Sequence, residues 1–142
     1  MAEIVYDNIP EMLAWAAERI GLRRFKADAK AFGVKRRGEL CAVIVYDSFS
    51  ECDCNMHVAS DGSHTWLSRS VLIQAFGYPF VELNMRRVTA LIPEKKADAI
   101  RFNEHLGFKL EGRCPEAMPD DDIQIRGMLR KECRFIPPEY RK

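Results

Sequence analysis

The stretch from residue 86 to residue 112 constrains the fold most. Arg87, Val88, Thr89, Ala90, Leu91 and Ile92 form a β-branched run that reads as a strand. A turn around Pro93 follows, and residues 97–106 then read as a helix. Gly107 stands where a helix C-terminus wants a left-handed residue. Residues 108–111 return to a strand. Strand, turn, helix, glycine stop and strand in so short a span put a helix against a sheet, which makes the fold class α/β in the broad sense (α+β).

The rest of the chain extends this pattern. Residues 3–6 are a short apolar run suited to an edge strand. Asn8, Pro10 and Glu11 form a helix-start signature with Asn8 as N-cap. Ile9, Met12, Leu13, Ala16, Ala17 and Ile20 repeat at helical spacing up to Gly21, so the spacing predicts a helix over 9–20. Phe32 and Val34, then Leu40 and Ala42 through Tyr46, predict a hairpin around Gly38. Residues 54–59 form another strand. Leu67, Val71, Leu72, Ala75, Phe76, Phe80 and Leu83 predict a helix that Pro79 kinks or ends. A last strand covers 123–134, residues 115–122 are read as a loop before it, and the tail beyond Pro137-Pro138 as frayed. The order is strand, helix, three strands, helix, strand, helix, two strands. With 142 residues, no repeat and no linker, a single domain over 1–142 is expected.

Composition excludes several functions. Lys plus Arg is 22 and Asp plus Glu is 21, a net charge of +1, which gives no bulk argument for nucleic acid or a membrane surface. The basic run between Arg19 and Arg37 has few aromatics and reads as a solvated face. No apolar run approaches ~20 residues. The first twenty residues carry Glu3, Asp7, Glu11 and Glu18, unlike a secretory signal. A cytoplasmic location with five reduced cysteines is expected. Cys52, Cys54 and His57 lack the second ligand pair of a structural zinc site, so no metal is expected.

The 86–112 block resembles the second half of the GNAT acyl-CoA N-acyltransferases. The matching residues are Ala99-Ile100-Arg101, Glu104, Leu106-Gly107-Phe108 and Glu111-Gly112. Residues 128–134 resemble the last strand of that family, and the element order agrees over essentially the whole chain, as in the small single-domain members of phages and bacteria. The resemblance implies a mixed, mostly antiparallel sheet flanked by helices, with a central splayed strand pair. It implies acetyl-CoA as co-substrate and transfer of its acetyl group to an amine, whether a protein N-terminus, a lysine or a small amine. A homodimer is left open.

The resemblance also places the site. The pyrophosphate of the co-substrate is expected on a helix start, where free amides and the positive dipole end face an anion. That loop holds Ser63, His64, Thr65, Trp66, Leu67, Ser68 and Arg69. Trp66 stands where the family has glycine, and Ser63 where it has Gln or Arg. Lys96 replaces the family's Asn, and Arg101 lies on the same helix. Backbone N–H groups near His57 or Val58 are expected to polarise the thioester carbonyl. Deprotonating a lysine amine at pH 7 costs roughly 4.6 kcal/mol and an α-amine about 1.1. The candidate bases are His57 and Glu51, with Asp53 through a water. The family's leaving-group Tyr is absent, since Phe102 and Asn103 occupy those positions. The acceptor is expected between residues 22–31 and 115–122, with Asp120, Asp121 and Asp122 placed to attract a cation. The departures at Trp66, Lys96 and the missing Tyr support an alternative, a GNAT-fold binding or assembly module without catalysis.

Overall fold

The computed structural model describes residues 2–142. The elements are β1 (Ala2–Val5), α1 (Ile9–Ile20), β2 (Lys30–Arg36), β3 (Glu39–Asp47), β4 (Asp53–Ser60), α2 (Arg69–Gly77), β5 (Arg87–Pro93), α3 (Ala97–Leu106), β6 (Lys109–Met118) and β7 (Asp121–Leu129). The strands form one seven-stranded sheet in the order β1-β2-β3-β4-β5-β7-β6. Every pairing is antiparallel except β4 with β5.

The alternation of β3 assigns the two faces. Val43 and Val45 point toward α1 and bury Met12, Ala16 and Ala17. Ile44 and Tyr46 point the other way, into the larger core that takes Val71, Ala75 and Phe76 from α2 and Leu106 from α3. Tyr46 donates its hydroxyl to the Ala75 carbonyl at 2.5 Å. Phe76 stacks on Phe80 and Phe135 and meets Phe108 at a tilt. Gly33 lets α1 sit directly on β2, because a Cβ there would lie 2.6 Å from the Met12 sulfur.

Several expectations are corrected. Asn8 does not cap α1 through its side chain. It adopts the left-handed conformation (φ 57°), which Asn tolerates, and its carbonyl accepts from Met12 N. The second helix starts at Arg69, with Ser68 as its cap. As expected, it ends next to Pro79, at Gly77. The chain widens into a π-type turn, Tyr78–Glu82, and Leu83 N reaches the Tyr78 carbonyl. Residues 115–118 extend β6, and β7 already begins at Asp121, with Asp120 at φ 58° in a tight turn. The final strand stops at Leu129, and a 3-10 turn, Arg130–Glu132, follows. The tail is tied down rather than frayed, because Arg130 holds the Lys142 carbonyl at 2.6 Å and Arg141 that of Ile136 at 3.0 Å.

Candidate active site

β4 and β5 pair at only three positions: Asp53 with Arg87, Cys54 with Val88, and Asn55 with Thr89. Beyond them β4 runs on to Ser60 and β5 to Pro93 without pairing. Each strand keeps its outer partner, β3 and β7, so the gap is a wedge inside a continuous sheet. The backbone groups of β4 turned away from β3 are free at this edge. A cleft of about 910 Å³ occupies the wedge, walled by residues 56–60, residues 90–93 and the inner face of α3.

Trp66 and Leu67 on the wall of the cleft lead directly into the start of α2. Ser68 Oγ accepts from Val71 N at 3.2 Å, which leaves the Arg69 and Ser70 amides without a partner among the described residues. No acidic residue sits in the first turn, so nothing neutralises the positive end of the helix. Arg19, His64, Lys96, Arg101 and His105 border the cleft, against a single carboxylate, Asp98.

The expected site residues separate into two groups. His57, Val58, His64, Trp66, Leu67, Lys96 and Arg101 line the cleft. Ser63, Thr65, Ser68 and Arg69 stand outside its wall, on the loop and the exposed helix start. Ser63 is turned back onto Asp61 at 2.7 Å. The indole of Trp66 is buried, donates Nε1–H to the Ser63 carbonyl at 2.9 Å and packs on Phe102. It forms the wall of the cleft and does not fill it. Lys96 Nζ donates to the Ile20 carbonyl at 2.8 Å, meeting the negative end of α1, and Arg101 pairs with Asp98.

His57 lies on the α1 face of β4, under the Phe25 ring at 5.2 Å. Its Nε2 is 3.0 Å from Asp47 Oδ1, and both side chains are largely buried. Burial pushes the Asp47 carboxyl up. The His57 hydrogen bond and charge, with the Lys26 amide, outweigh that and hold it below the ordinary carboxylate value. Asp47 is therefore an anion that accepts Nε2–H, which leaves Nδ1 as the free ring nitrogen. Glu51 is exposed in the β3–β4 turn and is not part of the cleft wall. Sequence reading missed Asp47, although the signal was present. An acid ends the apolar run of β3 on the face of Val43 and Val45, diagonal to His57, whose register partner is Val45.

No protein-family model matches the chain, and no curated protein matches it in sequence. Solved structures do. Spermidine N-acetyltransferase from Vibrio cholerae, in complex with CoA and spermine, superposes with a TM-score of 0.73 at 12% identity, over 92% of this chain and 96% of that one. Mutant forms of the Vibrio cholerae spermidine/spermine N-acetyltransferase SpeG give 0.62 at 17% identity, over 73% and 66%. The Campylobacter jejuni N-acetyltransferase PseH, in complex with acetyl coenzyme A, gives 0.56 at 12%, over 73% and 70%. The chain has the GNAT fold. Within this fold, the wedge is the splayed strand pair that the 86–112 block implied.

The closed end of the GNAT wedge carries a polar cluster. Asp53 accepts from the Thr89 hydroxyl at 3.0 Å, and Arg87 bonds Thr89 at 3.2 Å and Glu111 at 2.6 Å. Burial raises the Asp53 carboxyl, and Thr89 and Arg87 only partly offset it. A Cβ at Gly127 would meet the flexible ends of Arg87 and Glu111, so a side chain there would make this ion pair shift. The carboxylates of Asp121 and Asp122 in the β6–β7 turn are already engaged, and Asp120 is held only through its backbone carbonyl. Asp122 binds Arg113 at 2.9 Å, Asp121 accepts from Lys95 N at 3.0 Å, and Lys95 Nζ reaches the Asp120 carbonyl.

Among the described residues there is no group of side chains able to hold a metal, and no helix is long and apolar enough to cross a membrane. Cys54 is buried, and desolvation, with Asp53, Asp47 and Asp28 adding to it, pushes its thiol to about 12. It is inert as a nucleophile. Thiol titration of the native protein should therefore label exposed Cys52 rapidly. Cys41, Cys54 and Cys133 should wait for denaturant. Fast labelling of Cys54 in the native state would contradict its burial.

Proposed function

We propose that this chain is an acetyl-CoA-dependent N-acetyltransferase, moving the acetyl group to an amine. The observation that carries the reading is the wedge between β4 and β5, with the unpartnered Arg69 and Ser70 amides of α2 following directly on Trp66 and Leu67 of its wall. Acetyl-CoA supplies an acyl thioester on a long arm that ends in a pyrophosphate. The free backbone edge of residues 56–60 suits the arm, and the Arg69 and Ser70 amides suit the pyrophosphate, with His64, Lys96 and Arg101 adding positive charge. Val58 and its neighbours offer backbone N–H groups to the thioester carbonyl.

His57 Nδ1 takes a proton from the incoming amine while Asp47 fixes the ring through Nε2. The amine nitrogen bonds the carbonyl carbon, the C–S bond breaks, and the sulfur leaves as a thiolate. Neither Phe102 nor Asn103 donates a proton in place of the absent Tyr, so solvent protonates a thiol whose ordinary pKa is about 8.5. The spermine held by one neighbour supports an amine acceptor in general. Protein N-termini, lysines and small amines all remain within the class. Five free cysteines agree with a reducing cytoplasm as the setting.

Calorimetry and thermal shift with acetyl-CoA test the reading. Millimolar ligand should release heat and raise Tm. Ser70→Glu keeps the fold, because an acid in a first turn favours a helix, yet it sets a negative charge against the pyrophosphate. It should weaken binding about tenfold or more. No heat and no shift for the unmodified protein would defeat the proposal. Binding without thiol release across a panel of amines would return the chain to the non-catalytic alternative.

A further inference from the structure

The α1 face of the sheet changes character where the wedge opens. α1 packs on Val43, Val45 and Ala59, so it covers only the β1–β4 side of that face. The register carries the face across the fork. Asn55 lies beside Thr89, Thr89 beside Gly127, and Leu91 beside Ile125. At the closed end the face carries Arg87, Thr89, Lys109 and Glu111. Past the fork it carries Leu91 and Pro93 on β5, and Ile123 and Ile125 on β7. Leu91 is 41% exposed and the other three are half-buried. Leu91, Ile123 and Ile125 belong to neither core. The open side of an antiparallel pair ordinarily carries polar residues, as the closed end does. Core packing does not account for an apolar strip here.

The strip adjoins the candidate base. His57 and Leu91 each stand two residues past the last β4–β5 pair, on the same face, and both line the cleft. An amine with its nitrogen at His57 therefore has its next carbons opposite Leu91, with Ile125 and Ile123 behind. The acids close to the fork are already paired and offer little to a polycation. Asp47 is taken by His57 and the Lys26 amide, and Asp53 and Glu111 share Arg87.

Resting on the acetyl-transfer reading above, we infer that the acceptor is a primary amine carried on an apolar body, selected by Leu91, Ile123 and Ile125. A leucine-like side chain next to the reacting nitrogen lies on the strip. A polyamine leaves it bare.

The test follows thiol release from acetyl-CoA by the whole chain with leucinamide, glycinamide and spermidine as acceptors. The first two present an α-amine of similar basicity, so the ratio of their kcat/KM values isolates the side chain. Leucinamide should be preferred about tenfold, mainly through KM. Leu91→Thr and Ile125→Thr, made separately, keep a strand-forming residue and remove most of the apolar surface. Each should cut the preference to about threefold or less. Reading the ratio within one preparation cancels any difference in the amount of folded enzyme. Equal use of leucinamide and glycinamide, a preference for spermidine, or a ratio that neither variant moves overturns the inference. So does a dimer of the unmodified protein that Leu91→Thr dissociates in sedimentation, since the strip then belongs to a second copy. These outcomes leave the acetyl-transfer reading intact as long as some amine releases thiol. If none does, both fall together.

Discussion

Replacing His57 with Gln is expected to lower kcat about 100-fold with little change in KM for acetyl-CoA, the usual scale for losing a positioned base. His57 touches the cleft on the α1 face, whereas the expected nucleotide contacts lie at the mouth. Asp47→Asn should cost less, about tenfold, because it keeps a hydrogen-bond acceptor near Nε2 but removes the charge. The Asp47 carboxyl is depressed in the folded state. Its contribution to stability is therefore complete above the unfolded value, about 3.9, and is lost as pH falls through the lower folded value. The pair is thus intact through the neutral range. A His57→Gln enzyme within a few-fold of the unmodified rate at all pH values would remove His57 as the base.

The largest expected effect on stability is Phe76→Ala, at about 3–5 kcal/mol. Phe76 is 1% exposed, and its ring touches Phe80, Phe108 and Phe135, which come from three different parts of the chain. Truncation leaves a cavity bordered by Phe80 of the π-type turn, Phe108 between α3 and β6, and Phe135 in the turn after the 3-10 segment, all packed in the same core. Urea unfolding with an unchanged m-value reads the loss directly. A loss below about 1 kcal/mol would mean that the aromatic stack collapses into the space and does not act as a fixed core.

The sequence made the framework readable where one local signal agreed with one local structure. Gly107 ends α3 at φ 110°, and the helical repeat of α1 buries Met12, Ala16 and Ala17. It was misleading where two uses of a residue look alike. Pro115 and the three successive aspartates suggested a loop, but β6 is an edge strand with irregular register against β7, and an edge strand tolerates proline and exposed acids. The site was half visible. His57 stood out by residue type, but its partner Asp47 is ten residues away, and only the β3–β4 register brings the two together. Trp66 conflicted with a glycine pattern because the pattern tracks backbone freedom. Here φ is positive at Gly62 instead, and the indole turns into the core.

Only three residue pairs, with the Cys52 carbonyl accepting from Arg86 N and Arg87 N just ahead of them, join β4 to β5 among the described residues. Mechanically the domain is two stiff panels sharing a short seam, sealed on one side by the aromatic stack. Any guest that hydrogen-bonds both lips of the gap acts as an eighth strand, so that filling the site and bracing the scaffold become the same event.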